Sequence, residues 1–417
     1  MLYELHTLQR WWMGSIADIS AQNSQLLRRV PGRMLAPAAA GWELLHRITK
    51  EYPRPAFGID SVVAHGQAVS IREETVAVTP WCRLVRFTRH AADSRTAAQL
   101  ERDPRVLLCA PLSGHFATLL RETVRSLSQD HDVYVTDWSD ARDVPLADGF
   151  FGLDDYVLHL ERFLRFLGPD ETHVVAVCQP AVPALAAVAR MASAGEATPP
   201  TLVLLAGPID GRINPTQVNR LATEHSLAWF EQNLVHRVPA GYRGEGRRVY
   251  PGFLQLAAFV SMNWDRHIAS YRDYWLDRMF GRSESAALHE RFYDEYNAVL
   301  DMDAPYYLET VRLVFQEHAL ARGTWSVAGD RVRPEDVRDT ALFTIEGADD
   351  DITGKGQTHA AHALCSGIAD AGRQTLTVDG AGHYGVFSGR RWREGIYPKL
   401  RDFVREHDRG RRGGGTI

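Results

Sequence analysis

Cys178 stands where a short apolar run, Val174-Val175-Ala176-Val177, turns through Cys178-Gln179-Pro180 into an alanine-rich stretch. A thiol on a strand-to-helix turn can be perched in a strained backbone above a sheet, exposed for attack on an acyl carbon. Such a turn closes only around small neighbours. Ala176 is small, and Pro180 is tolerated because the first helical turn does not need its missing N–H. The helix start beneath the thiol favours its reactive thiolate. The plain alternative is a structural cysteine at a strand end. Two later segments change the balance. The strand-like run 341–346 leads into Gly347-Ala348-Asp349-Asp350-Asp351, and the run 374–378 leads into Gly380-Ala381-Gly382-His383. A cysteine, a carboxylate and a histidine, each following a strand and in that order, could carry out covalent acyl transfer with His383 as base. Asp350 is the chosen acid because it completes a Gly-x-x-Asp turn from Gly347; Asp351 is the fallback. The competing reading of the aspartate run, a solvated loop or cation site, lacks further ligands.

An acyl-transfer site also needs backbone N–H groups aimed at the developing alkoxide. Gln179, next after the cysteine, is expected to supply one. The loop Pro111-Leu112-Ser113-Gly114-His115 is expected to supply the other, with Ser113 as the working choice and Gly114 allowing close approach. Cys365 also has small neighbours, but no strand precedes it, so it reads as a helix cysteine. His359 and His362 share its helical face, yet a metal site there lacks a fourth ligand, and no metal is expected. Neither a Walker A motif nor a G-x-G-x-x-G after a strand occurs, so no cofactor is expected.

The elements that must position these residues follow from periodicity. Apolar strand-like runs at 106–110, 133–136, 174–177 and 201–205 alternate with helical stretches at 117–128, 154–167 and 181–191, and the pattern resumes from 341. Two half-buried strands are expected at 68–72 and 75–79, a third at 84–88, a helix near 356–367 and a final helix from about 391 to 406. Buried strands alternating with helices imply an α/β fold with a mostly parallel sheet, and the nucleophile–acid–histidine order is that of the α/β-hydrolase fold. The domain plan is an N-terminal helical extension (1–55), with helices broken near Pro31 and Pro37, and a core of 56–208 and 339–408. A mainly helical cap insertion occupies 209–338, and 409–417 forms a disordered tail. Trp11 and Trp12 are expected to pack on the core. The insertion carries many of the chain's aromatic residues, suited to its own small core or to an apolar ligand.

Composition removes whole classes of function. With 47 Lys+Arg against 52 Asp+Glu, the 417-residue chain has a formal charge of −5, which excludes a chain-wide grip on nucleic acid. Four scattered cysteines, Cys82, Cys109, Cys178 and Cys365, make no disulfide framework or zinc ribbon. The N-terminus lacks the pattern of a signal peptide, and no stretch reads as a membrane span, so a cytoplasmic location is expected.

Several segments resemble the intracellular poly(3-hydroxybutyrate) depolymerases of bacteria. They are MLYELHTLQRWWM, CAPLSGHFATLLRETVRSL, YVTDWSDARDVPL, VVAVCQPAVPALAAVA, ERFYDEYNAVLDMDAPYYLETVRLVF and GAGHYGVFSGRRW. The family is related to polyhydroxyalkanoate synthases. The resemblance implies an α/β-hydrolase fold and a Cys-Asp-His triad. Carried onto this chain, Cys178 is the nucleophile, Asp350 the acid and His383 the base. It further implies hydrolysis of amorphous polyester granules inside the cell through a thioester acyl-enzyme. The alternatives are polyester synthesis, thiolysis with coenzyme A, and a non-enzymatic granule-surface protein. Monomer length, product length and oligomeric state stay open, a homo-oligomer included.

Overall fold

The computed structural model describes residues 2–29, 34–262 and 264–408. The proposed break near Pro31 and the tail 409–417 therefore lie outside the described residues. The central element is a nine-stranded sheet. Its strands are β1 (Ser61–Ala64), β2 (Gln67–Val78), β3 (Cys82–His90), β4 (Arg105–Cys109), β5 (Asp132–Trp138), β6 (Thr172–Val177), β7 (Thr201–Leu205), β8 (Ala341–Gly347) and β9 (Arg373–Val378). They lie in the order β1-β2-β3-β5-β4-β6-β7-β8-β9. The stretch from β5 to β9 is parallel, and β1, β2 and β3 pair antiparallel at one edge. This is the α/β-hydrolase fold. Strands β6 and β7 are wholly buried, which accounts for their unbroken runs of Val, Leu and Ala. The helix Ala181–Ser193 that leaves β6 carries mostly alanine and valine on its buried positions, small enough to lie close against the sheet.

Three expectations change in the structure. The two strands at 68–72 and 75–79 are one strand, β2, whose register against β3 slips between Thr75 and Ala77. That bulge adds a residue and breaks the alternation that a period of two requires. The helix near 356–367 shrinks to Ala361–Leu364. The buried Glu346 carboxylate instead accepts the N–H groups of Gly356, Thr358 and His359, holding that segment as turns. Within the insertion, helices are joined by a small sheet of His236–Arg237, Arg248–Tyr250 and Met302–Asp303, strands too short to leave a periodic signal.

The N-terminal helix Leu2–Arg28 departs most from expectation. Trp11 is 68% and Trp12 66% exposed, and Leu5, Leu8, Ile16, Ile19 and Leu26 are exposed with them. The face it buries carries Tyr3, Ala17, Ser20 and Ser24. The expected packing of both tryptophans on the core is therefore overturned. Small and polar side chains let this helix lie close to its partner Ala36–Thr49. There Ser24 Oγ donates to Ala39 O at 3.0 Å. The large apolar side chains are left on the outside. Pro37, expected to break the chain, sits in the first turn of that second helix.

Arg247 ties the insertion to the core. Its fully buried guanidinium donates to the carbonyls of Val144, Pro145 and Gly149, lies against Asp303, and covers the Trp81 ring at 4.7 Å. Three of these contacts are carbonyls of the one loop 144–149, so a single side chain satisfies polar groups that the loop could not pair alone and ties them to Asp303 and Trp81. Asp303 is expected to be left buried without its cation in Arg247→Ala. That variant should lose about 3–5 kcal/mol of stability, read from urea unfolding midpoints.

Candidate active site

Strands β4, β6, β8 and β9 run parallel, so the loops after them emerge at one edge of the sheet. Cys178 leaves β6 with φ +68°, in the left-handed region that non-glycine residues seldom enter. Its N–H donates to Leu205 O of β7 at 2.7 Å, so the neighbouring strand holds the strained turn in place. Gly207 makes room on that side. A Cβ there would lie 2.1 Å from the Ala181 Cβ and 3.1 Å from the Cys178 carbonyl oxygen. The result is a half-buried thiol lifted above the sheet.

The acid loop follows β8. Asp350 is buried, whereas Asp349 and Asp351 are exposed. One Asp350 oxygen, Oδ1, accepts the N–H groups of Ile352 and Thr353 at 2.9 and 2.8 Å. The other, Oδ2, accepts from His383 Nδ1 at 2.8 Å. The side chain is therefore fixed by a turn that runs forward to Thr353, not by the Gly-x-x-Asp turn expected from Gly347. Gly347 has another task. A Cβ on it would come within 2.3 Å of Ala381 O, so only glycine lets the two loops approach. They are stitched together there by Asp349 N–H to Ala381 O at 3.0 Å.

His383 is buried between the Tyr384 and Phe387 rings, each edge-on at 5.8 Å. Burial alone would push its imidazole pKa down. The charge of Cys178, the charge of Asp350 and hydrogen bonds to both raise it well above the usual histidine range. The structure thus brings Cys178, His383 and Asp350 together, with Nδ1 hydrogen-bonded to the carboxylate and Cys178 near enough to act on the imidazole.

Gln179 lies in the turn between the thiol and the helix Ala181–Ser193, and among the described residues its N–H joins no backbone hydrogen bond. Ser113 is half-buried in the loop after β4. Beside it, Gly114 has φ +98°, and a Cβ there would meet the Gln255 side chain at 2.5 Å. His115 in the same loop is buried, with its pKa pushed down to about 4 by desolvation, and its Nε2 donates to Tyr296 O at 3.1 Å. It is a neutral fastener between loop and insertion. Cys365 is buried away from this row, and His359 and His362 converge on the Thr344 hydroxyl at 2.7 and 2.9 Å. A cavity of about 230 Å³ at the antiparallel edge is lined by Arg54, Glu73, Arg83 and Asp137 and shares no residue with the Cys178 row. Sequence reasoning passed over Tyr306, whose signal was only a tyrosine on a helical stretch of the insertion. It is 1% exposed, and the Cys178 charge acts on it.

A comparison with family models matches residues 206–408 to a family described as PHB de-polymerase C-terminus, in line with the resemblance read from the sequence. No curated protein matches the chain. Among solved structures, the meta-cleavage product hydrolase of Pseudomonas fluorescens IP01 is similar at 14% identity, covering 83% of this chain and 97% of that one, with a TM-score of 0.43. DcsB in complex with its substrate analogue is similar at 13% identity, covering 81% of this chain and 99% of that one, with a TM-score of 0.47.

The raised imidazole pKa has a consequence for stability. Because the folded value exceeds the unfolded one, the His383 contribution is complete below about pH 6.5 and fades as pH rises through the folded value. Asp350→Asn removes one of the charges that hold it up. Urea midpoints measured from pH 6 upward should fall more steeply for the wild type than for Asp350→Asn; parallel profiles would contradict the assignment.

Proposed function

From a chain whose residues 206–408 match the PHB depolymerases, we propose an enzyme that hydrolyses poly(3-hydroxybutyrate) ester bonds through a Cys178-Asp350-His383 triad. The observation that carries the proposal is the hydrogen-bonded pair of Asp350 and His383 beside a thiol on a strained turn. The family match and the fold support an ester hydrolase in the coarser sense.

The geometry suggests how the residues would act. Asp350, held by two backbone N–H groups, fixes the imidazole so that its second nitrogen faces sulfur. His383 holds the proton of Cys178, and the sulfur attacks the ester carbonyl. The alkoxide is met by the Gln179 N–H and by the loop carrying Ser113. His383 then protonates the departing 3-hydroxyl. Water deprotonated by the same imidazole cleaves the thioester and releases a 3-hydroxybutyrate unit or oligomer. No cofactor enters this scheme.

The partner of this reading is an amorphous polyester granule, and its location is the cytoplasm at such granules. Among the described residues no helix is long and apolar enough to cross a membrane. The outward apolar face of the helix Leu2–Arg28 supports docking on an uncharged, water-insoluble polymer.

Two measurements test this reading. Acid release from amorphous polyester should be lost in Cys178→Ala, by at least about 10³-fold; undiminished release would end the proposal. A Trp11→Asp/Trp12→Asp variant should stay in the supernatant when granules are pelleted, yet cleave a soluble 3-hydroxybutyrate trimer at the wild-type rate.

A further inference from the structure

Beside Cys178 lies a group of polar side chains that folding has buried without satisfying. Tyr306 comes from the helix Ala304–Glu309 of the insertion. Its ring stacks on Tyr156 at 5.9 Å and 18°, with Phe151 at 5.6 Å. Its hydroxyl has Gln179 and Thr310 as neighbours. Yet Tyr306 Oη, Thr310 Oγ1 and both polar atoms of the Gln179 amide are buried with no partner in hydrogen-bonding geometry. Buried polar groups are nearly always paired, and exceptions gather where a ligand completes them.

The position of the hydroxyl narrows what that ligand is. On one side Tyr306 adjoins Gln179, whose backbone N–H follows the nucleophile. On the other it stacks on Tyr156, whose own hydroxyl donates to Ala110 O at 2.8 Å. Ala110 begins the loop that runs on through Ser113 and Gly114. Tyr306 is therefore tied to both segments that flank the acyl carbonyl in the reading given above.

We propose that the Tyr306 hydroxyl donates a hydrogen bond to the substrate carbonyl oxygen during attack, as the side-chain member of the oxyanion hole. The inference rests on Cys178 being the nucleophile. As the sulfur–carbon bond forms, the carbonyl π pair moves onto oxygen, and Tyr306 shares its proton with that oxygen without giving it up. Burial and the Cys178 charge raise the phenol pKa well above its usual value, so the group stays a donor. Proton transfer remains the work of His383.

The test compares wild type, Tyr306→Phe and Cys178→Ala on p-nitrophenyl butyrate and on a soluble 3-hydroxybutyrate trimer. The phenylalanine keeps the ring on Tyr156 and removes one oxygen. Its kcat is expected to fall about 10²-fold on both substrates, with KM within about threefold. Its melting temperature should stay close to or above that of the wild type, because the lost hydroxyl makes no well-aligned hydrogen bond. A kcat within about threefold of wild type overturns the inference. So does a loss confined to KM for the trimer, which would put the hydroxyl on a second ester unit. A lowered melting temperature with unchanged activity per folded molecule also overturns it, marking a structural hydroxyl. Wild-type turnover in Cys178→Ala would overturn the nucleophile assignment and this inference with it. Loss in Cys178→Ala with full kcat in Tyr306→Phe overturns this inference alone.

Discussion

The hydrogen bond from the Cys178 N–H to Leu205 O governs the rest of the site. A residue with a Cβ does not stay at φ +68° on its own, and the local cost is of order 1–3 kcal/mol. The turn persists because β7 captures its N–H, Gly207 leaves space beside Ala181, and the helix 181–193 begins without an obstructing side chain. Everything chemical at this edge then follows from direction. Parallel strands deliver their loops to the same side, so the strained turn after β6 comes together with Asp350 after β8 and His383 after β9.

Electrostatics and packing reinforce each other there. Asp350 is buried, but each oxygen is hydrogen-bonded, so its charge is tolerated. His383 is buried too, and its interactions with Asp350 and Cys178 outweigh the penalty that desolvation places on its cation. Aromatic rings on either side keep water from dispersing these interactions. Two polar fasteners join the 209–338 segment to the loops of the core: Arg247 from that segment, bonded to the loop 144–149, and His115 from the loop after β4, bonded to Tyr296 O.

Much of this was legible in the sequence for a physical reason. Buried parallel strands write themselves as apolar runs, and residues 174–177, 201–205 and 341–346 could be assigned from that pattern. Cys178, Asp350 and His383 could be named as candidates because each follows such a run. Asp350 was chosen over Asp351 by a turn argument from Gly347, whereas the structure fixes that side chain through Ile352 and Thr353, contacts that lie after it in the chain. The bulge in β2 and the turns around Glu346 were illegible because they depend on a register slip and on one buried carboxylate. Trp11 and Trp12 misled because the rule that large apolar groups go inside has no force where a helix is seated on alanine and serine. Tyr306 gave no local signal at all; only the insertion's fold carries it to the thiol.

The seam at Gly347 has a mechanical meaning. Acid and histidine loops are laced together through Asp349 and Ala381, while the thiol is anchored separately to β7. Thermal loosening would displace the carboxylate–imidazole pair as one block and widen its gap to sulfur, leaving the pair itself intact. The weak joint of the proposed centre is therefore the span between two strand-anchored bodies, and rigidity there would set how often the three groups line up.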